Sequence, residues 1–319
     1  MRYGIVVKCA ATIWSGTCET KMVEGQVHSA IDDEALYGAG LALTGEETEG
    51  YYPVRTHYGY TGYIKADALR LVTLEELQSW EASRLMVVSG RCVDVVSIPR
   101  VQGVIFESLF RGSLLKVLEY DSGVCEKREL EAAEEGRAGA TGWAKVELAD
   151  GRIGYVRNQY LMEKNYSQSG LWEEELPQCF LGRYLEDSSE KLETEFRDAV
   201  VNTAMTYLGV QYRWGGKSTA GIDCSGLTSM SYMINGVLIY RDAQLKEGFP
   251  VHEIPREQMR KGDLLYFPGH IAMYIGENRY IHSTGRAGSG GVVINSFDPL
   301  SPDFRADLVK SLYAVGSIF

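Results

Sequence analysis

Residues 223–235 read DCSGLTSMSYMIN, a polar tetrapeptide followed by a largely apolar segment. The residues Leu227, Met230, Ser231 and Ile234 recur in this segment at the spacing of one helical face. Asn235-Gly236 is typical of the end of such a helix. The pattern predicts Cys224 at or near a helix N-terminus, where the partial positive charge of the helix favours a thiolate.

Two histidines follow, at positions 270 and 282. His270 begins one predicted strand and His282 ends the next, with Glu277-Asn278 as the turn between them. Facing residues of an antiparallel hairpin share one side of the sheet, so the two imidazoles are predicted to lie together. A thiol with its ordinary pKa of about 8.5 is mostly protonated at neutral pH, and a nearby histidine can stabilise the thiolate. These residues therefore indicate hydrolytic or acyl-transfer chemistry.

Composition limits the partners that the chain can bind. It has 319 residues and a formal charge of −11, from 43 acidic and 32 basic residues, which disfavours nucleic acids and anionic membranes and leaves a local basic pocket open. No apolar run approaches the roughly 20 residues that span a bilayer. Met1 to Trp14 reads as a first strand, interrupted by Lys8, and not as a signal peptide. We therefore expect a cytoplasmic protein, or an extracellular one if an export signal has been removed.

The six cysteines, at positions 9, 18, 92, 125, 179 and 224, contain no Cys-x-x-Cys spacing. This disfavours a zinc site and a dithiol redox motif. The histidines form no metal signature either, so neither a metal nor another cofactor is predicted. A disulfide between Cys9 and Cys18 stays open, although a cytosolic location disfavours it.

An internal repeat organises the first half. VRTHYGYTGYIKADAL at 54–69 aligns without a gap to VELADGRIGYVRNQYL at 146–161, and each copy reads as strand, glycine turn, strand. We predict two small β-barrels joined by a short helix, whose capping box begins at Thr73, and a solvated loop or insertion at 126–135. The predicted boundaries are 1–72 and 85–164 for the barrels, 73–84 for the helix, 165–190 for a linker and 191–319 for the last domain.

The last domain is predicted to be α+β. A helical stripe runs over 195–208, the helix bearing Cys224 follows, and strands are predicted after Gly262-Asp263 and from His270 onwards. A cysteine-bearing helix packed on a histidine-bearing antiparallel sheet is the papain-like arrangement.

Two parts of the chain resemble known families. The repeats resemble bacterial SH3 domains. Five motifs resemble the catalytic domain of the NlpC-type peptidoglycan cysteine peptidases: Tyr212-Arg-Trp-Gly-Gly216, Asp223-Cys-Ser-Gly226, Gly262-Asp-Leu264, Gly269-His270 and Ile281-His282. With two SH3-like modules in front, the chain resembles the YkfC-type γ-D-glutamyl-L-diamino acid endopeptidases of that family, also called dipeptidyl-peptidase VI.

The resemblance implies roles for single residues. Cys224 would be the nucleophile, His270 the general base and acid, and His282 the residue that orients His270. Tyr212 would help the Cys224 backbone amide to hold the oxyanion. The chain departs from the common pattern by having Gln211, and not proline, before Tyr212.

The resemblance also implies a substrate pocket. Asp223 and Tyr60 would hold the free amine of an N-terminal L-alanine, while Ser225, Arg241 and Asp242 would line the groove for the γ-D-glutamyl residue. Two alternatives stay open: Tyr60 packs as an ordinary strand residue, and Arg241 makes only a salt bridge with Asp242. Further candidates for the acidic partner of the amine are Asp32, Asp33 and Glu34.

The function implied is a cysteine endopeptidase of cell-wall recycling. It would cleave free murein peptides after γ-D-Glu and release L-Ala-D-Glu from L-Lys or meso-diaminopimelate, with no nucleic-acid or membrane partner. One alternative is a secreted wall hydrolase or amidase that accepts intact stem peptides. The other is a wall-binding protein without catalysis, which would require a lost member of the triad.

Overall fold

The computed structural model describes residues 2–121 and 142–319. The chain divides into two compact units, Met1–Lys164 and Asn165–Phe319. The loop or insertion predicted at 126–135 lies outside the described residues. Within the described ranges, no helix is both long and apolar enough to cross a bilayer.

The first unit contains a seven-stranded antiparallel sheet in the order β5-β2-β8-β7-β6-β1-β9, and a separate hairpin of β3 and β4. Its strands are β1 Arg2–Val6, β2 Ala10–Trp14, β3 Thr20–Val23, β4 Gln26–Ser29, β5 Ile31–Leu36, β6 Gly40–Leu43, β7 Tyr51–Thr56, β8 Thr61–Lys65 and β9 Leu69–Val72. Apolar side chains of these strands, among them Ile13, Leu41 and Ile64, form one buried cluster.

A second seven-stranded sheet of the same unit has the order β12-β11-β15-β14-β13-β10-β16. Its strands are β10 Leu85–Val88, β11 Cys92–Val96, β12 Ile105–Phe110, β13 Leu114–Asp121, β14 Trp143–Glu147, β15 Ile153–Arg157 and β16 Leu161–Glu163. Both sheets therefore have one strand order. The hairpin turns use glycine at equivalent places, since Gly59 and Gly151 have φ of 84° and 87°.

A helix, α1 (Leu74–Ala82), separates the two sheets in the chain. The capping box predicted from the sequence is present: the Thr73 hydroxyl accepts a hydrogen bond from the Glu76 N–H, and the Glu76 carboxylate accepts one from the Thr73 N–H. The buried Trp80 indole donates to the Gly38 carbonyl at 3.0 Å. The helix is thereby fixed to the first sheet.

The second unit packs helices on both faces of a six-stranded antiparallel sheet, in the order β19-β24-β20-β21-β22-β23. Its helices are α2 Cys179–Glu186, α3 Glu190–Met205, α4 Cys224–Ile234 and α5 Ala306–Ser311. Its strands are β17 Lys217–Ser218, β18 Gly221–Ile222, β19 His252–Ile254, β20 Leu264–Phe267, β21 His270–Gly276, β22 Arg279–Thr284, β23 Gly291–Ser296 and β24 Ala314–Ser317.

Two helices differ from the expectation. The predicted linker contains α2, whose Phe180 is buried and stacks on Phe196 of α3 with ring centroids 3.9 Å apart. The helix α3 begins at Glu190, earlier than the apolar stripe indicated, because the Ser189 hydroxyl caps it by accepting from the Leu192 N–H. Apolar pattern alone does not reveal a cap.

Candidate active site

Cys224 is the first residue of α4, as the sequence predicted. Asp223 is the N-cap: one carboxylate oxygen accepts from the Gly226 N–H at 2.5 Å, and the other accepts from the Gly215 N–H at 2.9 Å. The Asp223 side chain thus ties the loop before the cysteine to the first turn of the helix, and it fixes the position of Cys224.

The same helix end requires glycine. A Cβ atom on Gly226 would lie 2.2 Å from the Gly216 carbonyl oxygen, a distance that no packed carbon atom tolerates. The Asp223 N–H donates to that same carbonyl at 3.2 Å. The start of α4 is therefore pressed directly against the backbone of the Gly215-Gly216 loop.

The histidine hairpin forms as predicted. Strands β21 and β22 pair antiparallel, and the turn places Glu277 and Asn278 at φ of 52° and 57°. His270 Nε2 lies 2.7 Å from His282 Nδ1. The structure therefore brings together the two histidines that the sequence proposed as base and orienting residue.

The cysteine lies beside the first of these strands. The backbone N–H groups of Ile271, the residue after His270, and of Ser225 lie near enough to the Cys224 sulfur to act against the rise of its pKa. The thiol is 7% exposed. Cys224 and the two histidines therefore lie at the junction of α4 with the sheet, where Cys224 and His282 are buried and His270 is partly buried.

A fourth residue extends this constellation, and the sequence reasoning missed it. His282 Nε2 lies 2.8 Å from Asn295 Oδ1, and Asn295 Nδ2 donates to the Asp303 carbonyl oxygen at 2.5 Å. Asn295 belongs to β23, whose sequence is GVVINS. The available signal was the position of Asn295 at the end of an otherwise apolar run, and this signal does not identify a partner.

Burial sets the protonation of the site. It raises the pKa of the Cys224 thiol to about 11, with the Asp223 charge acting in the same direction and the Ile271 N–H and Arg241 opposing it. Burial also lowers the pKa of His270 to about 3, assisted by His282 and Arg305. The pKa of His282 falls to about 4, again through burial, with the Asn295 hydrogen bond opposing. At neutral pH the thiol and both imidazoles are thus uncharged.

This result corrects one expectation. The helix N-terminus was expected to favour a thiolate, but burial of Cys224 raises the pKa of its thiol. A thiol whose pKa is raised needs a positioned base to take its proton when it attacks the substrate.

Tyr212 lies in electrostatic reach of Cys224. Burial raises the pKa of its phenol, and the charges of Cys224 and Asp223 raise it further. Its backbone N–H donates to the Gly290 carbonyl at 2.8 Å. Gln211, which stands where the family pattern has proline, donates through its side chain to the Ala220 carbonyl at 2.6 Å and so contributes its own support to this loop. The role of Tyr212 at an oxyanion stays a prediction.

Three of the proposed substrate-binding residues form one buried network. The Arg241 guanidinium, 2% exposed, donates to both Asp223 carboxylate oxygens at 3.1 Å and to the Ser225 hydroxyl at 2.7 Å. The alternative that Arg241 makes only a salt bridge with Asp242 is therefore wrong. Asp242 lies beside the Tyr240 hydroxyl.

Tyr60 and the acidic candidates belong to the first unit. Tyr60 is half-buried in the turn between β7 and β8, where its N–H donates to the Thr56 hydroxyl at 2.9 Å. Asp33 and Glu34 are buried in β5, and the Tyr58 hydroxyl donates to Asp33. The part of Tyr60 in substrate binding stays a prediction.

Comparison with known proteins identifies the family. The sequence profile of the NlpC/P60 family matches residues 209–299, the segment that carries Cys224, His270 and His282. The chain is also 37% identical over 296 residues to Dipeptidyl-peptidase 6 of Lysinibacillus sphaericus, a match that covers 93% of this chain and 95% of that protein. The chain belongs to the NlpC/P60 family.

Two further matches agree with this family assignment. A Gamma-D-glutamyl-L-lysine dipeptidyl-peptidase of Bacillus cereus is 38% identical over 106 residues, which cover 30% of this chain and 31% of that protein. The crystal structure of an NlpC/P60 family protein from Bacillus cereus superposes with a TM-score of 0.68 at 19% identity and covers 98% of each chain, so the fold extends over both units. As a member of the NlpC/P60 family, the protein is a cysteine peptidase.

Proposed function

We propose that the protein hydrolyses the bond between γ-D-glutamate and the following diamino acid in murein-derived peptides. The relative that matches nearly the whole chain is named a dipeptidyl-peptidase, and a relative of the catalytic part is named for the γ-D-glutamyl-L-lysine bond. The observation that carries the proposal is the 2.7 Å contact of His270 with His282, on the strand pair beside the helix that begins at Cys224. This arrangement supplies a nucleophile, a base and an orienting group.

In the proposed mechanism, the Cys224 sulfur attacks the γ-carbonyl carbon of the D-glutamyl residue while His270 takes the thiol proton. The carbonyl oxygen becomes an oxyanion, for which the Cys224 N–H and the Tyr212 hydroxyl are the proposed donors. Collapse of this intermediate breaks the C–N bond, and His270 returns the proton to the leaving amine. A water molecule, deprotonated by His270, then hydrolyses the thioester and restores the thiol.

The proposal also includes the fold of each domain. We assign residues 191–319 as a papain-like domain and the ranges 1–72 and 85–164 as SH3-like barrels, with 73–84 as connecting helix and 165–190 as linker. The shared strand order of the two seven-stranded sheets supports the assignment of a duplicated module. The α4 helix, which bears the cysteine and packs on β21, supports the papain-like assignment.

The proposed substrate is a free peptide that begins with L-Ala-γ-D-Glu. Asp223 and Tyr60 are the proposed partners of its ammonium group, and Ser225, Arg241 and Asp242 of the D-glutamyl residue. Asp223 already accepts hydrogen bonds from Arg241 and two backbone N–H groups, so an ammonium group would meet a carboxylate whose charge is largely balanced. A requirement for a free amine suits cytoplasmic recycling, which is the proposed location and role.

The test uses two peptides, L-Ala-γ-D-Glu-L-Lys and its N-acetylated form, and mass spectrometry of the products. We expect the wild type to cleave the free peptide only, and the Cys224→Ala variant to cleave neither. Cys179→Ala is the matched control, because it makes the same substitution on another helix of the same unit, and it should retain activity.

The other outcomes separate the alternatives. Equal cleavage of both peptides would favour a wall hydrolase that accepts intact stem peptides. Cleavage of neither by the wild type would favour another substrate or a binding role. Full turnover by Cys224→Ala would refute the mechanism.

A further inference from the structure

We propose that Asn295, held by the backbone carbonyl of Asp303, is a positioning residue that sets the proton-bearing nitrogen of both histidines. The proposal rests on the proposed function of Cys224 and His270. Asn295 would act through His282, without touching the substrate. Its amide would decide which nitrogen of His270 is left to accept the thiol proton.

The argument begins at the carbonyl of Asp303, because a backbone carbonyl can only accept hydrogen bonds. Asn295 Nδ2 lies 2.5 Å from this oxygen. The reversed amide would place two acceptors against each other, so the orientation of Asn295 is fixed by its surroundings. Asn295 Oδ1 therefore faces His282.

The direction of the remaining bonds follows. Asn295 Oδ1, 2.8 Å from His282 Nε2, can only accept, so Nε2 carries the hydrogen. A neutral imidazole has one N–H, which leaves His282 Nδ1 as an acceptor. His270 Nε2, 2.7 Å away, must then donate to it. The one nitrogen of His270 left with a free lone pair is Nδ1.

Burial protects this series of hydrogen bonds, from Asn295 through His282 to His270, from exchange with water. His282 is fully buried and Asn295 is 8% exposed, so bulk water cannot readily replace the amide. Both imidazoles are neutral at pH 7, because burial holds their pKa values low. For a neutral ring, the other tautomer of His270 would carry its hydrogen on Nδ1 and leave no lone pair there to accept the thiol proton.

The anchor is itself fixed to the sheet. The Asp303 carbonyl also accepts from the Ser296 N–H at 3.4 Å, and Phe304 forms a parallel bridge with Ser296. The Asp303 carboxylate accepts from the Arg279 guanidinium of β22 at 2.8 Å. The residues after β23 thus hold the carbonyl against the strand that bears Asn295.

The first experiment needs no variant at Asn295. In the full-length protein labelled with ¹⁵N-histidine, NMR distinguishes protonated from bare ring nitrogens, and His270→Gln and His282→Gln spectra assign the signals. We expect a protonated Nε2 and a bare Nδ1 on both residues at pH 7. A protonated Nδ1 on His282 would overturn the proposal.

The second experiment compares Asn295→Ala with Asn235→Ala. Asn235 is half-buried in the same unit, and its amide donates to Thr203 and Ser231 and not to a histidine. We expect Asn295→Ala to lower kcat by about 10- to 100-fold, with little change in KM and a mixture of histidine tautomers. Asn235→Ala should keep the wild-type tautomers and change kcat far less.

A wild-type kcat for Asn295→Ala, or an unchanged nitrogen spectrum in that variant, would refute the positioning role. If Asn295→Ala does not fold, the wild-type spectrum alone decides. The nitrogen spectra do not depend on turnover. An active Cys224→Ala variant would therefore refute the proposed function without affecting this result, and the two failures can be told apart.

Discussion

Replacing Arg241 with methionine should strongly destabilise the start of α4, because it leaves the Asp223 carboxylate buried without its cation. Arg241 and Asp223 are 2% and 8% exposed, and two N–H···O bonds of 3.1 Å join them. The Ser225 hydroxyl loses its 2.7 Å contact with Arg241 in the same variant. Methionine keeps a similar length but neither the charge nor the donors.

The expected cost follows from the burial of both charges. Removing one partner of a buried ion pair typically costs about 3–5 kcal/mol. Asp223→Asn should cost a similar amount, since it removes the carboxylate charge that faces the buried guanidinium. In the double variant both charges are gone, so the loss should be smaller than the sum of the two single losses by at least about 2 kcal/mol. The Asp223→Asn substitution also alters the bond from the Gly215 N–H, but this change occurs in the single and in the double variant and cancels in the comparison.

Hydrogen exchange with mass spectrometry over residues 224–234 of the full-length protein measures this loss locally. A cost of about 3 kcal/mol corresponds to about 100-fold faster exchange of the helix amides. Lys261→Met is the control, because Lys261 and Asp198 form a partly exposed pair, with 39% and 49% of the side chains exposed. That variant should lose less than about 1 kcal/mol.

Two results would refute this reasoning. The first is a cost below about 1 kcal/mol for Arg241→Met, and the second is a double variant whose loss equals the sum of the single losses. A third pattern would instead favour substrate binding as the main role of Asp223. In that case Asp223→Asn would raise KM for the free peptide while the exchange of α4 stayed unchanged.

Two further predictions concern protonation and packing. The pKa values of His270 and His282 are 6.5 in the unfolded chain and about 3 and about 4 in the folded protein. Below pH 6.5 the unfolded state therefore binds more protons than the folded state. The stability that is present at pH 7 is lost as the pH falls. Each imidazole should lower the free energy of unfolding by about 2 kcal/mol between pH 7 and pH 5, as measured by urea unfolding. The variant His282→Gln should show a shallower dependence of this free energy on pH. Equal pH dependence in the wild type and the variant would contradict a lowered pKa for His282. Gly226→Ala should lose about 1–3 kcal/mol and lower activity, because its Cβ would meet the Gly216 carbonyl at 2.2 Å. Gly182→Ala, on an exposed helix face with open space, should be neutral or stabilising by up to about 1 kcal/mol, and thermal unfolding of both variants checks the difference.

Local signals predicted much of the fold. The capping box at Thr73 and the DCSG sequence at 223–226 mark helix starts, because a cap is satisfied within three residues of the chain. The histidine hairpin was predictable for a similar reason, since the turn at Glu277-Asn278 fixes which side chains share a face. The gapless repeat at 54–69 and 146–161 likewise corresponds to two sheets of one strand order.

Other elements lacked such a signal. The helix α2 lies in a segment that was predicted as a linker, and its N-cap, Gln178, makes no capping hydrogen bond with its side chain. Phe180 packs on Phe196 of another helix and donates through its N–H to the Gly236 carbonyl, and the Gln178 side chain bonds to the Leu238 backbone. A short helix that is held by such distant contacts shows neither a start signal nor a long apolar period.

The sequence by itself determined the family, the identity of the cysteine and the two histidines, and their places at a helix start and in a hairpin. Only the tertiary structure decided that Arg241 pairs with Asp223, that Asn295 bonds to His282, and that burial keeps the thiol protonated. The reason is physical. Caps, turns and periodic patterns are satisfied by neighbours along the chain, whereas burial and the pairing of distant polar groups depend on how the elements pack.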